Sequence, residues 1–261
     1  MLLALPFALA CDPPPDASEP FSDAAIAALG AFNDEDPATL VRAFEQLEVE
    51  IGESLDLSGD VTLRSLTPAD LTEADVADMT HPDRDPGATL PVALAWSSPF
   101  APTEHDRISL ISDQVPEGED AIEPFAIEYT RTFTAGEDCF PAECEFLRSR
   151  NDMTKENPSM TVPLVLMKDW RAFELSDGRA ARASRGWMEE GATELEGSDR
   201  IEQSYAIELW TEQGDGTTLR LLVLWAETTF EEETADDLVV FTTRIGMDTL
   251  FRNHDGWIEA H

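Results

Sequence analysis

Lysine is almost missing from this chain. Only Lys155 and Lys168 occur in 261 residues, and 17 basic residues in all face 54 acidic ones, for a formal net charge of −37. Nucleic-acid binding, which depends on Lys and Arg displacing counterions from phosphates, is excluded as a main role. Charge-driven docking on an anionic lipid surface is excluded for the same reason. The acids either attract cations or basic partners, or form a solubilising surface suited to salty surroundings where screening removes self-repulsion. Their even spread along the chain agrees with the second reading.

Histidine is scarce as well, with only His81, His105, His254 and His261. Hydrolytic enzymes need a base, most often histidine. The sequence holds no G-x-S-x-G elbow, P-loop, H-E-x-x-H or G-x-G-x-x-G run. With so many carboxylates, acidic pairs arise by chance, so no catalytic residue is assigned and the chain is read as not an enzyme. His254 alone lies on an organised helical face, beside Asp255, and is read as a packing residue near a helix C-terminus. His105 and Asp106 fall in a predicted turn and are expected to be solvated. His81, Asp83 and Asp85 share a loop rich in proline and could offer ligands to a hard cation, but the loop lacks the length and further acids of a calcium loop. No metal and no cofactor are assigned.

Long apolar runs are also absent. The first ten residues, MLLALPFALA, are apolar and uncharged but too short to span a bilayer. They read as the apolar and cleavage regions of an export signal, or else as an apolar N-terminal helix. Ending in Leu9-Ala10-Cys11, the segment resembles the lipobox of bacterial lipoproteins, in which the cysteine is acylated and becomes the new N-terminus. That resemblance implies a signal peptide over residues 1–10, a lipid on Cys11 and a place in the bacterial cell envelope, anchored to the membrane. Residues 11–20, rich in proline and acid, read as an acidic tether, and residues 21–261 as one domain. Cysteine is limited to three residues. With Cys11 carrying lipid in an exported chain, Cys139 and Cys144 are left to pair as a disulfide. A zinc site is disfavoured there because no further Cys or His lies near.

The residues that remain are enough for a core, at 42% hydrophobic. Residues 22–32 predict a short alanine-rich helix capped by Ser22. A second helix follows, with Asp36 as N-cap, Pro37 at its first position, Leu40, Val41, Phe44, Leu47 and Ile51 on one face, and Gly52 as its stop. Thr72 to Asp75 has the pattern of a capping box opening another short helix. Residues 90–96 and 108–111 predict short strands. From residue 125 onward the pattern alternates, and strands are predicted near 125–133, 146–153, 162–175, 180–188, 203–211 and 217–228. Asp177-Gly178 and Gly214 to Gly216 supply hairpin turns, and Gly186 marks a candidate bulge. Arg131 interrupts the apolar face of its strand, either as a stem at a sheet edge or as a charge pointing into a cavity. Residues 219–225 are apolar on nearly every position and read as a strand buried on both faces. Residues 234–261 then form the longest helical pattern, with Val239, Val240, Met247, Leu250, Phe251, Trp257 and Ile258 on one stripe, completed by Thr243 and His254.

The fold class is therefore α+β: an antiparallel sheet of six or more strands wrapped around a long C-terminal helix, with short N-terminal helices. This order of elements resembles the helix-grip layout of the START-like, or Bet v 1-like (SRPBCC), superfamily, most clearly in the strand at 219–225 and the final helix. The resemblance implies an apolar cavity between sheet and helix that binds a lipid or another hydrophobic small molecule. Its wall would draw on Trp170, Trp187, Tyr205, Trp210, Trp225, Met247, Phe251 and Trp257. The alternative is that these residues fill a solid core, in a cell-envelope interaction protein whose acidic surface does the binding.

Overall fold

A computed structural model describes residues 19–34, 36–54, 63–66, 70–115, 122–157, 160–231 and 235–261. The predicted export signal, Cys11 and nearly all of the tether lie outside the described residues. The elements run α1 (Glu19–Ala31), α2 (Pro37–Ser54), β1 (Leu63–Leu66), β2 (Leu90–Ser98), α3 (Pro102–Leu110), β3 (Ala126–Ala135), β4 (Phe146–Glu156), β5 (Thr161–Glu174), β6 (Ala180–Trp187), β7 (Ala192–Thr193), β8 (Arg200–Glu212), β9 (Thr218–Thr229) and α4 (Asp236–Ala260). All strand pairs are antiparallel, in the order β1-β2-β9-β8-β6-β5-β4-β3, with the short β7 paired to β8. Hairpin connections account for most of this order, and the pairing of β2 with β9 brings the early strands beside the last one.

Strand alternation divides the sheet between two helical layers. On one face Ala93 and Ala95 of β2, Tyr205, Ile207 and Leu209 of β8, and Leu219, Leu221, Val223 and Trp225 of β9 form the main core with α1 and α2. Those helices present Phe21, Ala25, Ala28, Leu29 and Phe32, and Leu40, Phe44, Leu47 and Ile51, in each case at helical spacing. Fully burying each large side chain of this set stabilises by about 1.5–3 kcal/mol relative to exposure. On the other face Val92, Leu94 and Trp96 of β2 and Leu222 of β9 meet Met247, Leu250 and Phe251 of α4. The strand at 219–225 is thus covered on both sides, as its nearly continuous apolar run requires.

Several local expectations are corrected. Ser22 lies inside α1 and is buried, so it is not the cap. Asp36 does cap α2, accepting from the Ala38 N–H at 3.1 Å, but the helix runs past Gly52 to Ser54. The Thr72 N–H and hydroxyl both donate to Asp75 Oδ2, at 2.8 and 2.6 Å, yet the chain there makes turns and not a helix. Residues 108–111 belong to α3 and the turn after it instead of a strand. Pro102 is preset for a first helical turn, and the Glu104 carboxylate accepts from the Ala101 N–H at 3.0 Å, so the helix starts there and carries the apolar residues with it. Pairing on both sides continues unbroken through Gly186, which makes no bulge. Gly178 and Gly216 do adopt positive φ, 86° and 85°, as the hairpin turns demand. Cys139 and Cys144 form a disulfide, with Cα atoms 5.3 Å apart.

Candidate functional site

Beneath α3 and the second half of α4 the sheet carries charge where an apolar cavity was expected. Arg131 on β3, Lys168 and Trp170 on β5, Arg182 on β6, and Glu208 and Trp210 on β8 all occupy the strand positions that face α4, as do Arg220 on β9 and Ser98 on β2. From α3 come His105 and Asp106, both buried, and from α4 come Leu250 and His254. Between them lies a cavity of about 40 Å³, walled in part by the rings of Phe140, Trp170 and Trp210 and in part by His105, Lys168 and His254. A water needs roughly 10–15 Å³ of such space, so about three would fit.

Ion pairs and shared protons hold the walls in place. Arg182 grips Asp106 in a two-pronged contact of 2.6 and 2.8 Å, and burial raises the Asp106 carboxyl above its ordinary pKa despite that arginine. Lys168 donates to Glu208 Oε1 at 2.8 Å and sits over the Trp170 ring. Lys155 donates to Glu123 at 2.6 Å. Burial acts to raise the Glu123 carboxyl, but Lys155, Lys168 and Arg131 outweigh it and leave the group below its ordinary range. Arg131 differs from these. Its Nη1 donates to the carbonyls of Ile108, Ser109 and Ile111, its Nε to Asn151 Oδ1 and its Nη2 to the Tyr129 hydroxyl. Of the two readings open for Arg131, the structure shows the inward-pointing charge. Burial pushes the Tyr129 phenol up to about 12, so it stays protonated.

The two histidines can be assigned tautomers from their partners. The Ser98 hydroxyl donates its one proton to Asp255 Oδ1 at 2.7 Å, since an ionised carboxylate only accepts. Its 3.1 Å contact with His105 Nε2 must then be a bond donated by the histidine. The His105 lone pair is therefore on Nδ1, a buried atom with no hydrogen-bond partner among the described residues. This Ser–His contact is not a nucleophile activated by a base, because the histidine is the donor. Arg220 Nη2 donates to His254 Nδ1 at 3.0 Å, which places the His254 proton on Nε2. Burial, together with the Arg220 charge, holds both imidazoles well below the ordinary histidine pKa. Burial also lowers the Arg220 guanidinium to about 10, against the pull of Glu208 and Asp255.

A pH dependence follows. Both histidines bind protons less readily folded than unfolded, so stability is complete above the unfolded value near pH 6.5 and is lost as pH falls below it, by up to about 1.4 kcal/mol per unit for each. In urea titrations at pH 7.5 and 5.5, wild type should lose about 2 kcal/mol more than a His105→Gln/His254→Asn variant, whose amides keep the contacts to Ser98 and Arg220 without titrating. Equal losses in the two proteins would refute the assignment.

The eight residues expected around one cavity are divided by the structure. Trp170 and Trp210 line it. Met247 and Phe251 pack against β2 and β9 beside it, and Trp257 lies half-buried, stacked on His261 at 4.5 Å and beneath Arg107. Trp187, Tyr205 and Trp225 belong to the opposite face, in the core with α1 and α2. Sequence reasoning missed His105, Asp106, Lys168, Arg182, Glu208 and Arg220. One signal was available: a charged residue, Arg220, inside a run predicted to be buried on both faces.

An antiparallel sheet closed on one face by a long C-terminal helix, with that site between them, settles the architecture. The domain has the helix-grip fold. No family model and no curated protein sequence matches the chain. Among solved structures, this helix-grip chain is similar to TTHA0849 from Thermus thermophilus, at 14% identity over 65% of this chain and 97% of that one, with a TM-score of 0.44. It is similar to a START superfamily protein from Mycobacterium smegmatis at 9% identity, over 65% and 97%, with a TM-score of 0.42. Human StAR-related lipid transfer protein 5 is similar at 11% identity, over 85% and 96%, with a TM-score of 0.43. These scores all lie below one half, so the helix-grip assignment rests on the strand order and helix placement themselves.

A wider, open depression of about 830 Å³ lies where β3, β4 and β5 meet the loop after β6, with Glu128, Asp152, Glu189 and Glu190 on its rim. None of the buried unpartnered polar atoms found among the described residues belongs to its lining.

Proposed function

We propose that the chain is an exported, membrane-anchored ligand-binding protein, acylated on Cys11, whose helix-grip domain holds a hydrophobic or amphipathic small molecule and performs no catalysis. The observation that carries the binding reading is the cavity, whose wall joins aromatic rings to buried polar groups, His105 Nδ1 and Trp210 Nε1, that have no hydrogen-bond partner among the described residues. An unmatched buried donor or acceptor costs about 1–3 kcal/mol, which a ligand group placed there would recover.

At about 40 Å³ the cavity seats the polar end of such a molecule and not its body. An apolar body has a surface available at the first half of α4. None of the residues from Asp236 to Gly246 is buried, and Leu238, Phe241 and Ile245 are exposed there at helical spacing. Phe125 and Ile127, both exposed, stand at the start of β3, with the Phe125 ring close to Gly246. Phe125 also has φ of 62°, a left-handed conformation that costs of order 1–3 kcal/mol for a side chain of this kind.

Native mass spectrometry of protein purified without detergent tests binding. A co-purifying small molecule that is lost in Trp210→Phe supports it, and an empty protein whose melting temperature no lipid extract raises sinks it. The second outcome would favour the alternative, a filled interior and an acidic interaction surface, for which the small cavity volume is the supporting observation. Anchoring is separate: Cys11→Ser should release the protein from membranes, and unchanged association would end that part of the proposal.

A further inference from the structure

We infer that the polar end of the ligand is a single carboxylate, received by Lys168 and Trp210 at the floor of the cavity. The inference rests on the ligand-binding reading above and specifies its chemistry.

The distribution of charge makes the case. In a chain of net charge −37 with only 17 basic residues, Arg131, Lys155, Lys168, Arg182 and Arg220 gather around this one interior region, and both lysines of the protein are among them. The carboxylates that meet them are Asp106, Glu123, Glu208 and Asp255, paired with Arg182, Lys155, Lys168 and Arg220 in turn. Arg131 is left over: its contacts are to carbonyl, amide and phenol oxygens, and among the described residues no carboxylate forms an ion pair with it. The region therefore holds one cation more than its anions. Buried charge is tolerated when it is matched, so one incoming anion completes the balance.

Proton donors agree with that sign. Trp210 has an indole N–H with no hydrogen-bond partner among the described residues. Lys168 has three donors, of which Glu208 takes one. His254 carries its proton on Nε2, the nitrogen not engaged by Arg220. The bare acceptors of the region among the described residues are His105 Nδ1, which suits a bridging water or a neighbouring hydroxyl, and Glu208 Oε2, on a carboxylate already matched by Lys168. Size agrees with a small head group: space for about three waters accommodates the three heavy atoms of a carboxylate. Charge-assisted bonds to such a group are roughly twice as strong as neutral ones.

The test is calorimetric titration of the full chain with octanoate and with octanamide, its neutral counterpart of the same shape. Octanoate should bind at least tenfold more tightly. Lys168→Met should weaken octanoate at least tenfold and leave octanamide little changed, with Lys168→Arg recovering most of the loss. Equal affinities in the wild type would overturn the carboxylate assignment while leaving ligand binding in place, and this comparison needs no variant to fold. Displacement of octanoate by inorganic phosphate would overturn it too, in favour of a general anion site. Binding of neither compound would overturn both the assignment and the ligand-binding reading.

Discussion

Replacing Arg220 with methionine should destabilise the protein by about 3–5 kcal/mol, the range for removing one partner from a buried charge cluster. Arg220 is fully buried, with its guanidinium over the Phe251 ring at 4.3 Å and its Nη1 3.9 Å from Asp255. Methionine fills similar space, so the loss is chiefly electrostatic: Glu208 and Asp255 lose their shared cation, and His254 Nδ1 loses its donor. Two further readings separate this from a packing defect. In a double-mutant cycle with Glu208→Gln, the two changes should cost less together than the sum of each alone, with a coupling of about 1–3 kcal/mol. The His254 imidazole should also titrate at higher pH in the variant, since the Arg220 charge helps to hold it down. Additive losses and an unmoved histidine would show that Arg220 acts only as a space-filler.

Trp225→Ala should cost about 3–5 kcal/mol through the cavity it leaves. Trp225 is fully buried in the layer with α1 and α2, opposite Tyr205 on β8 and Pro91 on β2. It therefore supports the sheet from the side away from the candidate site. The milder Trp225→Phe should lower the melting temperature and leave ligand affinity within about twofold, whereas Trp210→Phe should weaken binding with less effect on melting. Chemical denaturation and calorimetry distinguish these. A Trp225→Phe protein that keeps its stability but loses binding would contradict the assignment of faces.

The contrast between Trp210 and Trp225 also shows how far the sequence could be read. Hairpin glycines and alternation placed the strands, and the final amphipathic run placed α4, because those signals are local. Which face of each strand meets which helix is not local. It depends on α1 and α2 covering one side of the sheet, so aromatic residues that looked equivalent along the chain separate into two layers. The helix at α3 was missed because Ile108 and Ile111 suggest a short strand, while its actual start is decided by Pro102 and the backward bond of Glu104 to the Ala101 N–H. That one error removed His105 and Asp106 from view as site residues. Lys168 and Arg182 were hidden differently. Each sits in a strand that is legible from its apolar positions, and a charged side chain on the inner face gives no periodic signal of its own. The predicted signal peptide and lipidated Cys11 remain readings of residues 1–11.

The most direct measurement is the set of indole N–H resonances of the six tryptophans, followed by NMR as octanoate is added to ¹⁵N-labelled protein. A ligand site between the sheet and α4 predicts that the Trp210 signal, from an N–H of the cavity wall with no partner among the described residues, shifts in a saturable way while those of Trp187 and Trp225 on the opposite face stay in place. Movement of the Trp187 and Trp225 signals with Trp210 unmoved, or no saturable shift at all, would contradict it.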